Sequence, residues 1–134
     1  MPIEQEQSSR APRAEDLREF GARLNSVSVQ ARKLLAHVAE LAYHGRGRQR
    51  KPDVAYLPEL HESCGLDVDA MYSLLRELEA AKFIAVEDRY PFEDVKVASD
   101  AFGRNLLCEI ARSAEGGKVA LRAVLVDLEF DVLL

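Results

Sequence analysis

The stretch LDVDAMYSLLRELEAAKFIA, residues 66–85, decides the fold class of this chain. Its apolar residues recur at helical spacing, which indicates an amphipathic helix. Asp67 can cap the start of that helix, and Lys82 leads directly into a β-prone run. The stretch therefore predicts a helix followed by a strand. The inward face of this helix consists of Met71, Leu74, Leu75 and Leu78.

The segments on either side of this helix predict a second helix and a hairpin. Residues 83–87 and 94–99 are β-prone, and the intervening DRYPFE has the proline and polar residues of a loop. Before the central stretch, LPELHESCG indicates a compact helix, with Pro58 in its first turn and Gly65 at its end. Residues 54–56 are compatible with a short strand.

The N-terminal part of the chain predicts a flexible lead and two helices. Residues 1–14 contain few large apolar side chains, so they are expected to form a flexible lead. Residues 15–24 are compatible with a short amphipathic helix, although Gly21 lowers its helix propensity. A longer helix is expected from a cap at Ser28 to Gly45. Its apolar stripe contains Leu34, Leu35, Val38, Leu41 and Ala42.

The C-terminal part of the chain leaves two interpretations open. Ser99 or Asp100 can cap a further helix, which should end at Gly116 and Gly117. In VALRAVLVDLEFDVLL, residues 119–134, the first half fits a helix, whereas the second half alternates apolar and acidic residues as a strand does. Because this segment is so apolar, we expect its side chains to be buried against other residues. It either folds back onto the domain or pairs with a second copy of the chain.

Length and composition are those of an ordinary globular domain. The chain has 134 residues, of which 48% are apolar and 31% are charged. We expect one domain over residues 15–134, and no apolar run reaches the roughly 18 residues that a transmembrane helix needs. The first residues lack the apolar segment of a signal peptide, so a cytoplasmic protein is expected. Cys64 and Cys108 belong to no metal or redox motif and are interpreted as reduced structural residues.

The predicted order of elements over residues 28–99 is helix, short strand, helix, turn, helix and hairpin. This order resembles the winged helix-turn-helix family, and the pattern LLxxLExxxxI from Leu74 to Ile84 is similar to the second motif helix and its exit. The family often has glycine where Lys82 stands, so a slightly different helix exit is expected here. The resemblance implies a mainly α fold with a small β-hairpin (α+β) and additional N- and C-terminal elements.

Winged-helix proteins of this kind are mostly bacterial transcription regulators, whose second motif helix enters the major groove while the hairpin, the wing, contacts the backbone. The resemblance therefore implies a DNA-binding regulator. Arg76 would contact guanine or phosphate, and Tyr72 and Ser73 would donate hydrogen bonds to phosphate oxygens. Arg89 would lie on the wing. A basic loop between the first helix and the short strand would add four phosphate contacts: Arg46, Arg48, Arg50 and Lys51.

The charge of the central stretch opposes this implication. DNA binding depends on the neutralisation of phosphates, so the surface that meets the duplex should be positive. The whole chain has a net charge of −5. An alternative function is therefore a winged-helix module that binds another protein and never contacts DNA. In residues 67–82 the cations Arg76 and Lys82 are outnumbered by the acids Asp67, Asp69, Glu77 and Glu79.

No motif in the sequence indicates catalysis or a bound cofactor. GxSxG, HExxH and glycine-rich phosphate loops do not occur, so we expect neither an enzyme nor a cofactor. His61 and Cys64 share a helical face, but two ligands do not make a metal site, and no metal is expected. If the apolar C-terminal segment pairs between copies, the protein would be a homodimer through residues 119–134.

Overall fold

The computed structural model describes residues 12–44, 53–87, 94–99, 104–117 and 120–130. In these ranges the chain is mostly helical and contains a small three-stranded antiparallel sheet, in agreement with an α+β class. None of the helices in these ranges is long and apolar enough to cross a membrane. The helices are α1 (Ala14–Leu24), α2 (Val29–Tyr43), α3 (Leu57–Cys64), α4 (Val68–Ala80), α5 (Leu106–Gly117) and α6 (Leu121–Leu125); the strands are β1 (Val54–Tyr56), β2 (Ile84–Glu87) and β3 (Asp94–Val97).

Helix α2 is the central element and contacts α3, α4, α5, α6 and β1. Ser28 caps it as predicted, because its Oγ accepts a hydrogen bond from the Ala31 N–H at 3.1 Å. The helix ends at Tyr43, and Gly45, its predicted end, lies outside the described residues. The buried residues extend beyond the predicted stripe: they are Ala31, Leu34, Leu35, Ala36, Val38, Ala39, Leu41 and Ala42.

A carboxylate from α4 completes the cap of α2. Glu77 Oε2 accepts a hydrogen bond from the Ser28 N–H at 2.6 Å, and its Oε1 accepts one from the Ser28 hydroxyl at 3.0 Å. In a capping box this role belongs to a glutamate three residues after the cap, but Ala31 stands there. The cap of α2 is thus a tertiary contact that ties the start of α2 to α4.

The predicted hairpin is part of a larger sheet. Strands β2 and β3 pair antiparallel, with Ile84 opposite Val97 and Val86 opposite Val95. Strand β1 pairs with the other edge of β3, so the strand order is β1-β3-β2. The short strand predicted over residues 54–56 is confirmed, but its pairing with β3 was not predicted, because three residues have too little periodicity to reveal a distant partner. The predicted wing loop, residues 88–93, lies outside the described residues.

The exit from α4 differs from the prediction. Lys82 has φ +66°, the left-handed conformation that glycine usually supplies at a helix end. Its N–H donates to the Glu79 carbonyl at 3.0 Å, and the Phe83 N–H donates to the Leu78 carbonyl at 3.0 Å. The expectation of a different helix exit is wrong. The lysine adopts the glycine-type exit. This conformation is less favourable for lysine than for glycine, because the Cβ clashes with the backbone there.

The N-terminal helix begins earlier than predicted and tolerates its glycine. Pro12 is buried, and the Arg13 N–H donates to Asp16 Oδ2 at 3.1 Å. Residues 12–14 therefore belong to the fold instead of the predicted flexible lead, whereas residues 1–11 lie outside the described part. A Cβ on Gly21 would stand 2.9 Å from Phe130 Cε2. Glycine at this position lets the C-terminal segment pack directly on α1.

Helix α5 begins later than predicted. Asn105 Oδ1 accepts a hydrogen bond from the Cys108 N–H at 3.0 Å, and the helix starts at Leu106. The cap predicted at Ser99 is wrong, because the helix starts at Leu106, seven positions later, and Asn105 caps it; Asp100 lies outside the described residues. Asparagine and serine are comparable caps, and the apolar spacing did not discriminate between them.

The apolar C-terminal segment folds back onto the domain in its described part. Helix α6 covers its first half, and residues 126–130 form turns instead of the alternative strand. Residues 131–134 lie outside the described part, and pairing with a second copy stays a prediction. The side chains of Leu121, Val124, Leu125 and Val126 are buried within the same chain.

We expect Lys82→Gly to raise the free energy of unfolding by about 1 kcal/mol, because glycine adopts the left-handed conformation without a Cβ clash. Urea denaturation measures this change. Lys33→Gly in the interior of α2 serves as the matched control and should lower stability by about 1 kcal/mol. An equal loss of stability in both variants would contradict the left-handed conformation assigned to Lys82.

We expect Glu77→Ala to lower the free energy of unfolding by about 1–2 kcal/mol, because Ser28 loses the acceptor for its N–H and hydroxyl. Glu62→Ala removes an exposed carboxylate from α3 and should change stability by less than about 0.5 kcal/mol. The difference between the two midpoints of urea unfolding tests the tertiary cap. Identical midpoints would show that Glu77 contributes no more than a surface charge.

Candidate nucleic-acid interface

Helix α4 forms for the reasons that its sequence indicates. Asp67 Oδ1 accepts a hydrogen bond from the Ala70 N–H at 2.8 Å and caps the helix. Met71, Leu75 and Leu78 are buried against the core, while Leu74 is only half-buried. The helix contacts α2 and β2, so both flanks of the buried face are held by other elements. Its opposite face is left to solvent.

The solvent face of α4 contains two of the eight residues predicted to contact DNA. Ser73 and Arg76 are exposed, and they lie three positions apart on the same side of the helix. Val68 and Asp69 are exposed in the first turn. The arrangement presents one hydroxyl and one guanidinium from a rigid helix, a combination that suits hydrogen bonding to phosphate or to base edges.

Tyr72 does not lie fully on this face. Its side chain is half-buried and packs against the hydrophobic core. It also lines a shallow depression with Arg76, Glu79 and Val86. The outward position expected for Tyr72 is therefore only partly observed, because an aromatic ring at the edge of an apolar stripe gains more from packing than from exposure.

Three of the four acids in this region bind backbone N–H groups. Asp67 caps α4 and Glu77 caps α2, each at a helix N-terminus where negative charge is favoured. Glu79 Oε2 accepts a hydrogen bond from the Val86 N–H of β2 at 3.0 Å. Because these carboxylates serve the fold, the acidic composition of α4 is a weaker argument against an anionic ligand than the sequence suggested.

The basic loop and the wing arginine lie outside the described residues. These are Arg46, Arg48, Arg50 and Lys51 in the loop and Arg89 in the wing. The two segments that enter and leave the loop are nevertheless held together, because the Tyr43 hydroxyl donates to Asp53 Oδ1 at 2.7 Å. Asn105 Nδ2 donates to the same carboxylate oxygen at 3.1 Å and to the Tyr43 hydroxyl at 2.8 Å.

The network of Tyr43, Asp53 and Asn105 fixes the base of the basic loop on the start of α5. Burial, followed by the hydrogen bond and the charge of Asp53, raises the pKa of the Tyr43 phenol well above its usual range. Sequence analysis missed this network. Asn105 before an apolar run is a recognisable cap signal, but nothing local to Asp53 indicates that a tyrosine ten residues earlier is its partner.

The histidines and cysteines have structural contacts. His37 Nδ1 lies 3.0 Å from Ser63 Oγ, and His44 Nε2–H donates to the Ala111 carbonyl at 2.8 Å. The Cys64 thiol contacts the His61 carbonyl at 3.6 Å. In the part of the chain that the structure describes, no three His, Cys, Asp or Glu side chains are grouped as metal ligands.

Comparisons with known proteins do not identify a family: no family model, no curated protein and no solved structure matches this chain.

We expect Tyr43→Phe to lower the free energy of unfolding by about 1–2 kcal/mol at neutral pH, because Asp53 and Asn105 lose a partner. The raised pKa keeps the phenol neutral in the folded state, so its stabilisation is complete below the unfolded pKa of about 10 and is lost as the pH rises beyond it. The difference between wild type and Tyr43→Phe should therefore shrink in alkaline solution. Urea unfolding at neutral and alkaline pH measures it, and a constant difference would contradict the assignment.

Proposed function

We propose that residues 28–99 form a winged-helix domain, that the solvent face of α4 binds DNA, and that the protein is a transcriptional regulator. The order α2-β1-α3-α4-β2-β3 supports this proposal, together with the strand order β1-β3-β2. In the winged-helix arrangement, β1 joins the hairpin as its third strand and α4 corresponds to the helix that enters the major groove. The strand at residues 54–56 was expected from the sequence, but its pairing with β3 was not, so this pairing adds support.

The exposed pair of Ser73 and Arg76 is the observation that carries the proposal. Helix α4 is capped at its start, packed along its inner face, and attached to β2 through Glu79. A helix held in this way can present Arg76 to a guanine edge or a phosphate with little loss of conformational freedom. Asp67, Glu77 and Glu79 are bound to backbone N–H groups, so these carboxylates serve the fold while they keep their negative charge.

The alternative function is binding of another protein by the same face. Val68 favours it, because 49% of this apolar side chain is exposed in the first turn of α4. Asp69 beside it would repel phosphate but would suit a basic partner. A partner protein with an apolar contact and a cationic rim would therefore complement the first turn of α4 better than a nucleic acid does.

DNA binding is tested by fluorescence anisotropy with a labelled duplex of mixed sequence, at about 20 mM and about 150 mM salt. We expect binding at low salt that weakens steeply at high salt, because the released counterions drive association. Arg76→Ala should weaken binding and lower the salt slope by about 1, the contribution of one phosphate contact.

Arg18→Ala is the matched control, since Arg18 is an exposed arginine on α1 and belongs neither to α4 nor to the basic loop. This variant should bind like the wild type. If Arg76→Ala leaves the affinity for DNA unchanged while the double variant Arg48→Ala/Arg50→Ala abolishes binding, the basic loop is the interface and α4 is not. Absence of binding at about 20 mM salt, where attraction to phosphate is strongest, would reject DNA binding and leave the protein-interaction module.

A further inference from the structure

A cavity of about 440 Å³ lies on a different side of the fold, between α1, the turn after α4, the end of β3 and the start of α5. This volume falls within the range of small-molecule pockets. Its apolar wall is formed by buried Phe20 and Phe83 and by Leu106 and Leu107. The two phenylalanine rings meet edge to face with centroids 5.5 Å apart, so this wall is a fixed surface.

Two cationic residues, Arg23 and Lys82, line this cavity. The Arg23 guanidinium lies 4.4 Å from the centroid of the Phe83 ring, and its Nη2 donates to the carbonyls of Ala81 and Lys82 at 3.3 Å. Lys82 itself lines the cavity and is exposed. Among the described residues, neither cation has a carboxylate partner. Arg23 is thus held in place by carbonyls and a ring, and none of the described carboxylates is bonded to its guanidinium.

Lys82 occupies its position at a conformational cost. Its φ of +66° is one that glycine adopts freely, and the turn is closed by the hydrogen bonds of a glycine-type helix end. A strained residue that persists where glycine would be more stable points to a use for its side chain. Lys82 lines the cavity, so a cation that binds a ligand there is such a use.

The other charged groups of the cavity define what the site can bind. Arg104 is engaged by acids of the fold, because it donates two hydrogen bonds to Glu109, at 2.6 and 2.7 Å, and contacts Asp16 at 3.0 Å. One guanidinium therefore faces two carboxylates, and little of its charge is left for a ligand. Among the described residues, Glu19, one helical turn before Arg23, is the other acid in the lining. The described lining thus has three cations, Arg23, Lys82 and Arg104, against the two acids Asp16 and Glu19.

We propose that this cavity binds a small monocarboxylate with an apolar chain. The carboxylate binds Lys82 and Arg23, and the chain lies against Phe20, Phe83 and Leu106. A ligand placed in this way connects α1 to the exit of α4 and to the start of α5. The site is distinct from the exposed face of α4, so it does not depend on whether that face binds DNA.

The proposal is tested by NMR titration of the ¹⁵N-labelled full chain with hexanoate, and with hexan-1-ol and hexylamine at equal concentrations. Hexanoate should shift the backbone amide signals of Phe83, Ala98 and Leu107 in a saturable manner and bind more tightly than the other two probes. Lys82→Gly keeps the turn, because glycine favours its conformation, and should weaken hexanoate binding about tenfold through the loss of one charged contact.

Lys96→Ala is the matched control, because it removes an exposed lysine from β3 outside the cavity. This variant should bind hexanoate like the wild type. Equal binding of hexanoate and hexan-1-ol would overturn the assignment of an anion site, and tighter binding of hexylamine would assign the dominant role to Glu19. Saturable shifts that persist unchanged in Lys82→Gly, or the absence of any shift at these amides, would also overturn the proposal.

Discussion

Burial of α2 is the constraint on which the rest of the structure depends. This helix buries eight of its fifteen residues, more than the single stripe of a surface helix requires. A helix that is apolar over so much of its circumference has to be surrounded, and α3, α4, α5, α6 and β1 all pack against it. The position of α4, and with it the direction of its solvent face, follows from this packing.

The polar contacts of the fold hold elements that are distant in sequence on this core. Glu77 joins α4 to the start of α2 across 49 positions, and Asn105 joins the start of α5 to Tyr43 and Asp53. Each contact satisfies donors of an element distant in the sequence. These contacts also explain why an acidic helix packs here. Asp67 and Glu77 act as caps, and Glu79 binds the backbone of β2.

Much of the element order could be predicted from the sequence, since helical spacing and caps are local signals. Ser28, Gly65 and Asp67 act at the predicted positions, and the arms of the hairpin are paired. Errors arose where a local signal was ambiguous. Ser99 is a good cap residue, but Asn105 begins the helix, and the alternating pattern after Leu125 is a series of turns.

The candidate sites were less predictable than the fold. The sequence identified Ser73 and Arg76 because helix periodicity separates inner from outer positions. It also suggested that Tyr72 faces outward, but this ring lies at the margin of the stripe, where packing decides its orientation. The cavity beside Lys82 had no sequence signal, because its walls come from α1, the exit of α4, β3 and α5.

The sequence by itself determined the succession of helices and strands, the caps at Ser28 and Asp67, and the buried face of α4. These properties depend on residues within one or two helical turns of each other. Only the tertiary structure decided the strand order, the Glu77 cap, the left-handed conformation of Lys82 and the fold-back of α6. These features depend on contacts between residues that are distant in the sequence. Such contacts produce no pattern in the local spacing of residues, so the sequence did not predict them.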